Sequence, residues 1–445
     1  MPGSKVYEQA RQERRRLSPM AATNRVDLAF VRLSALIGLV SVFAATAGQL
    51  RGQTVPDLTT VRGVRALELY QARQDRPVKV RGIVTALSGW RNSFFVQDST
   101  AGISVDRTDK ADVQVGDEVE VTGRSGAGMF APVILASYVR VVGHVSPPLA
   151  RRVTYGDLLG GREDSQRIEV SGVVHSARIT KLFERDALTL SVELGGGSMT
   201  VLLQDFAGID YNRLIDSTVR VRGVCSTQFN QKRQFVGLGM FVPDRRDIDI
   251  VQPAEDDPFG GSTTLIGNIL QFGQAQHRVK VAGISTYQVP GRALYIQDGN
   301  DGIRIQSSST ELVVPGSKVE AVGFPMRGEY APVLKDGLVR IVGHASPIKP
   351  VRIRALDVIS QQMGFNHVPY DEQLVSLEGT VAESHLQGGQ RVWILRQGSE
   401  VFEAHLPLSA AVDATEYIGS VVLLTGICTV HGDSDHNPVS FSILL

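Results

Sequence analysis

His431, Asp433, Asp435 and His436 fall within six consecutive residues, and imidazoles beside carboxylates are the donor types that hold zinc or calcium. Asp433, Asp435 and Asn437 alternate as the opening of a calcium loop does. Pro438, however, stands where such a loop needs its sharp-turn glycine, and Leu444 where it needs a bidentate Glu. A zinc site would require a further ligand. The cluster therefore reads as a solvated hairpin tip in preference to a metal centre, and no cofactor is expected.

A second set has the makings of a ligand surface. Trp90, Phe94, Phe229 and Tyr295 are rings on which a planar ligand can stack, and Lys232 and Arg233 are cations that could follow phosphates. Strand neighbours alternate in direction, so Phe94 and Phe95 cannot both face inward; one ring is presented outside its barrel or toward a neighbouring module. The segment 228–234 is basic, and its counterpart at 431–437 is acidic. This contrast predicts divergent surface loops or a contact between modules. The sequence contains no phosphate-binding GxxxxGK[ST], no HExxH, no CxxC and no GxSxG elbow, so no catalysis is expected. The glycine-rich stretch 123–128 reads as a barrel loop. Formal net charge is zero, the pI is near 7.1 and aromatics make up 6% of residues, so nucleic acid is not expected as a partner.

The elements that would position these residues come from an internal duplication. VRVVGHVSP at 139–147 returns as VRIVGHASP at 339–347, and the same offset of 200 relates Gln97-Asp98 to Gln297-Asp298 and Gly102-Ile103 to Gly302-Ile303. His144 and His344 repeat for the same reason. Strands centred on Gly82, Gly172, Gly283 and Gly379 each open a module, and V-x-V/L-x-G strands close each one, giving an A-B-A′-B′ order. The offset is 201 at the first strand of A′, so A′ lacks one residue that A has between Val84 and Phe94. Strands of four to six residues bounded by Gly/Asp turns, five to a module, predict an all-β chain of four tandem OB-like barrels. The expected segments are 60–147 (A), 148–253 (B), 254–347 (A′) and 348–445 (B′), with short helical lead-ins near 64–69 and 155–159. Gly102 and Gly302, beside Asp98 and Asp298, are expected to make the hairpin turn through positive φ or close strand approach. The linker 252–261, rich in Pro, Gly and acids, is expected to lie near a ligand or partner surface.

Residues 1–53 predict location. A basic stretch precedes an uncharged run from Leu33 to Leu50, and Ala45-Thr46-Ala47 has the A-x-A form of a cleavage site. The expectation is a secretory signal, or a signal-anchor helix holding residues 33–50 in the membrane, with Met1 or Met20 as the start. Either puts the modules in the periplasm or outside the cell. Cys225 and Cys428 occupy the same strand position in B and B′. Each is expected to point into its own barrel as a free thiol, because a disulfide needs Cα atoms within about 7 Å.

The phrases FFVQDSTAGI at 94–103, LYIQDGNDGI at 294–303 and Val314-Pro315-Gly316 with Val319 and Gly323 resemble OB-fold domains of secreted bacterial proteins. The module order over residues 54–445 is similar to the extracytoplasmic input region of membrane sensor histidine kinases. The resemblance implies a non-catalytic sensor region of a two-component system. No phosphoacceptor motif or ATP-binding domain lies within this sequence, so the kinase activity of those proteins is not carried over to it. The alternative is a free-standing periplasmic OB-fold protein that binds oligosaccharide, nucleic acid or protein. The expected partners are a small ligand, a glycan or another protein, with dimerisation left open.

Overall fold

The computed structural model describes residues 57–445, apart from 89–91, 108–111, 183–184, 272–275, 363–364 and 408–416. The expected signal or anchor helix and Trp90 lie outside the described residues. Among the described residues no helix is long and apolar enough to cross a membrane.

Module A comprises β1 (Pro77–Leu87), β2 (Phe94–Gln97), β3 (Gly102–Asp106), β4 (Asp117–Gly126) and β5 (Val133–His144). They close in the order β1-β2-β3-β5-β4, with β3 and β5 parallel and β4 returning to β1. Module B adds β6 (Arg151–Arg152), then β7 (Arg167–Leu182), β8 (Arg185–Glu193), β9 (Ser198–Leu203), β10 (Thr218–Phe229), β11 (Phe235–Val242) and β12 (Ile248–Gln252). Its β7–β11 repeat the same order, closed by β10 on β7.

A′ holds β13 (Val279–Val289), β14 (Ala293–Asp298), β15 (Asp301–Gln306), β16 (Ser317–Arg327) and β17 (Pro332–His344). B′ holds β18 (Val351–Arg352), β19 (Ser360–Gln362), β20 (Phe365–His367), β21 (Gln373–Gln387), β22 (Gln390–Gln397), β23 (Glu400–Pro407), β24 (Val421–Gly432) and β25 (Pro438–Leu444). Its barrel closes through β21 and β24, with β23 and β25 parallel. Four five-stranded barrels therefore share one strand order, that of the OB fold.

Alternation explains the strands. In β1, Val78, Val80 and Val84 turn inward, while Lys79 and Arg81 face water. Each barrel fills its lumen with such residues, and burying one Val, Ile or Leu contributes about 1.5–3 kcal/mol. The duplication extends to irregularities. β1 bulges between Val84 and Ala86, and β13 between Ser285 and Tyr287. The cross-strand pair Arg140–Glu120 returns as Arg340–Glu320, both at 2.7 Å. The missing residue is also visible: residues 88–93 separate the paired Leu87 and Phe94, whereas only 289–293 separate Gln288 and Leu294. The lead-in to A is displaced from its expected place, forming short helices at Val61–Arg65 and Leu69–Ala72. The lead-in to B is the helix Tyr155–Leu159.

Candidate binding site between barrels

The QDxxxG hairpin of A docks module B. The Gln97 side-chain carbonyl accepts from the Arg167 backbone N–H at 2.8 Å, and Gln297 accepts from the Leu374 N–H at 3.2 Å. Of the two roles expected for Gly102 and Gly302, positive φ is not found. Their role is close approach, and the approaching backbone belongs to the next module: a Cβ would collide with the Ser165 carbonyl at Gly102 and with the Glu372 carbonyl at Gly302. Ser165 and Glu372 are themselves left-handed, at φ 65° and 56°. Their N–H groups donate to the carbonyls of Cys225 and Cys428 at 2.8 and 2.7 Å. Asp164 accepts from the Thr227 N–H, as Asp371 does from the Val430 N–H. Asp98 has a local part: its carboxylate takes the N–H groups of Thr100 and Ala101 and caps the 61–65 helix through the Val61 N–H. Asp298 sits exposed before Gly299, which has positive φ, in the turn of A′.

A clasp closes each pair from the other side. The β4–β5 loop of A carries Phe130, which stacks on Phe229 of the β10–β11 hairpin with centroids 3.9 Å apart, and Arg233 donates to the Phe130 carbonyl at 2.6 Å. The β16–β17 loop of A′ carries Glu329. His431 of the β24–β25 hairpin meets its carboxylate at 2.6 Å, and His436 lies 3.1 Å from its carbonyl. Asn230 and Asp433 organise the two tips alike, each accepting two local backbone N–H groups. The contact between modules that the divergent tips suggested is this clasp.

Several expected site residues are thereby reassigned. Phe94 fills the lumen of A, because strand alternation turns it inward. Phe95 is the ring turned toward the neighbour, packing on Ala86, Val224 and Phe241. Tyr295 occupies the matching place in the A′–B′ seam and is 5% exposed, at the wall of the cleft described below. Phe229 and Arg233 belong to the clasp, whereas Lys232 is exposed at its tip. The candidate metal cluster is divided between duties: His431 and His436 serve the clasp, and the Asp433 carboxylate serves the turn. Among the described residues no group of three or more ligating side chains could hold a metal. Cys225 and Cys428 are buried free thiols, one in each barrel core, and burial pushes the Cys225 thiol up to about 12.

Behind equivalent docking backbones the two seams differ. Between A and B, Phe95 meets Phe241 at 5.5 Å with a hollow of about 60 Å³ beside them, and a separate cleft of about 690 Å³, lined among others by Gly116, His144, Arg167 and Asp247, opens away from that face. Between A′ and B′ a cleft of about 480 Å³ remains, lined among others by Arg292, Tyr295, Arg304, Gln306, His405 and His431. Burial, reinforced by neighbouring Asp371, raises the Glu372 carboxyl well above its ordinary range, and burial also raises Asp371. Sequence reasoning missed Arg304 and Glu372. The one available signal was Asp164-Ser165-Gln166 returning as Asp371-Glu372-Gln373.

The B–A′ junction carries a larger cleft of about 740 Å³, bordered by Pro253, Glu255, Asp256 and Gly261, where the linker suggested a surface. Its basic groups are already engaged. His277 pairs with Asp216, Arg278 lies over Phe324, and Lys280 donates to the Phe259 carbonyl. His175 stacks on Phe324 at 3.9 Å, and burial lowers its pKa.

No family model matches the chain, and no curated protein matches it. Among solved structures it is similar to a replication protein A heterotrimer bound to single-stranded DNA, at 9% identity and TM-score 0.22, covering 62% of this chain and 92% of that one. It is also similar to a p204 HINb domain (12%, TM-score 0.18, covering 39% and 95%) and to a murine DNA-binding protein bound with double-stranded DNA (9%, TM-score 0.20, covering 41% and 98%). Two of these three similar structures hold DNA, and the expectation that nucleic acid is not a partner is withdrawn. The physical reason is that a ligand meets one local face, and a charge summed over the whole chain does not describe that face.

Proposed function

We propose that the chain is a non-catalytic binding region whose ligand enters the cleft between A′ and B′. One observation carries this reading. The second and third strands of an OB barrel form the face that meets oligonucleotides and oligosaccharides. In A′ that face, with Tyr295, Arg304 and Gln306, gives onto the cleft, whereas in A the same face is spent on packing against B. The order of modules and the A-x-A segment extend the proposal to an extracytoplasmic input region of a signalling protein, in which occupancy of the cleft alters the A′–B′ seam.

Hydrogen exchange on the full chain, with and without a panel of neutral oligosaccharides and short single-stranded oligonucleotides, tests the reading. Ligand-dependent protection is expected at 293–306 and 429–444. Protection confined to the 252–261 linker, or turnover of a panel member, would overturn it.

A further inference from the structure

We infer that the A′–B′ cleft is an oxyanion site, taking a carboxylate or phosphate group against the Arg304 guanidinium. The inference rests on the reading of this cleft as the ligand site. Arg292 and Arg304 both line it. The Arg304 Nε is buried without a hydrogen-bond partner, and the Glu372 carboxylate stands 3.9 Å away, beyond hydrogen-bonding reach. Glu372 is 4% exposed on its side chain, and its Oε2 also lacks a partner.

The other charged groups around the seam have their own engagements. Asp371 accepts from the Val430 N–H, Glu329 meets His431, and Glu403 meets His405 at 3.0 Å. Tyr295 and Cys428 are buried and neutral, their pKa values raised by burial. Burial and Asp371 favour the protonated form of Glu372, which weakens the nearest counter-ion of Arg304 and leaves it Asp371 and the Tyr295 hydroxyl. A planar guanidinium lining a cleft suits a bidentate oxyanion.

Comparison with A–B shows that docking does not require this pair. Ser104 stands in the place of Arg304 and Ser165 in that of Glu372, on the same backbone and with the same hydrogen bond to the cysteine carbonyl. The A′–B′ seam carries a half-buried arginine and a buried carboxyl, each with one atom lacking a hydrogen-bond partner, where its duplicate has two serines, and such atoms are costly unless something completes them.

The test titrates the full chain with inorganic phosphate, pyrophosphate and oxalate at fixed ionic strength, with chloride as control, following Tm and, for the phosphates, ³¹P line width. A saturable rise in Tm is expected from oxalate if carboxylates are the natural source and from phosphate or pyrophosphate if phosphates are. Arg304→Met should abolish the rise, and Arg304→Lys, which keeps charge but loses the fork, should weaken affinity by about tenfold or more. Affinity should fall in the wild type as pH rises through about 8, where Glu372 ionises and neutralises Arg304, and Glu372→Gln should remove that dependence. No oxyanion effect beyond chloride, or an effect that survives Arg304→Met, would overturn the inference. If neutral oligosaccharide still protects 293–306 in that case, the oxyanion site falls and the binding cleft stands; if nothing protects it, both fall.

Discussion

The A–B and A′–B′ seams are built on one backbone and filled in two ways. Both use a glutamine side chain, a glycine, a left-handed residue and a cysteine carbonyl to bring two barrels together. On that shared frame A–B places Phe95 against Phe241, whereas A′–B′ places Tyr287, Tyr295, Arg304 and Glu372. Duplication thus copied the docking device while leaving the facing side chains free to diverge. In A the face of the second and third strands became covered by apolar packing, and in A′ the same face kept a polar cleft.

The largest effect should come from the shared frame. Gly102→Val and Gly302→Val each drive a Cβ into a backbone carbonyl that has no flexible end to give way. Each should cost about 3–4 kcal/mol by denaturant melting and should loosen its own seam only. Equal loosening of both seams by either variant would show that the two pairs are not independent. Next come the fillings. Phe95→Ala should cost about 2–3 kcal/mol through lost packing, while Tyr295→Phe, which keeps the ring and loses only the hydroxyl beside Arg304, should cost about 1 kcal/mol.

Acidity separates the seams further. A carboxyl that holds its proton more tightly folded than unfolded lends stability that is fully present below the ordinary carboxylate range and lost as pH climbs to about 8. Melting of the wild type should therefore show B′ and A′ weakening across that window, and Glu372→Gln should flatten the profile. Ser165→Glu should transplant the dependence to A–B; no change in that seam's profile would mean that enclosure there differs from enclosure around Glu372. The smallest effects belong to the clasps: about 1 kcal/mol for Phe130→Ala, from the lost ring stack, and about 0.5 kcal/mol for Glu329→Gln.

The barrels were legible because their information is local. Val78, Val80 and Val84 announce a strand by alternation, and the repeated GHxSP and QD phrases announce how many copies to expect. The seams were not legible, because they depend on how one barrel is oriented on the next. Nothing adjacent to Tyr295 says that B′ covers it, and Glu372 within Tyr370-Asp371-Glu372-Gln373 has the composition of a solvated loop. Phe95 was recoverable halfway: alternation expelled it from its own lumen but did not name Phe241 as its neighbour. Gly102 invited a turn explanation since glycines cluster in turns, whereas the carbonyl it accommodates lies far along the chain at Ser165.

Closure of each barrel has a mechanical consequence. Where the first and fourth strands pair, as Pro77–Ile83 do with Glu118–Arg124, the sheet has no open edge along that line. A load drawn along the chain therefore meets a complete ladder inside every barrel but only a few hydrogen bonds and side-chain contacts at each seam. Under tension the molecule should lengthen seam by seam while its barrels stay intact, as a chain of stiff links joined by weaker couplings.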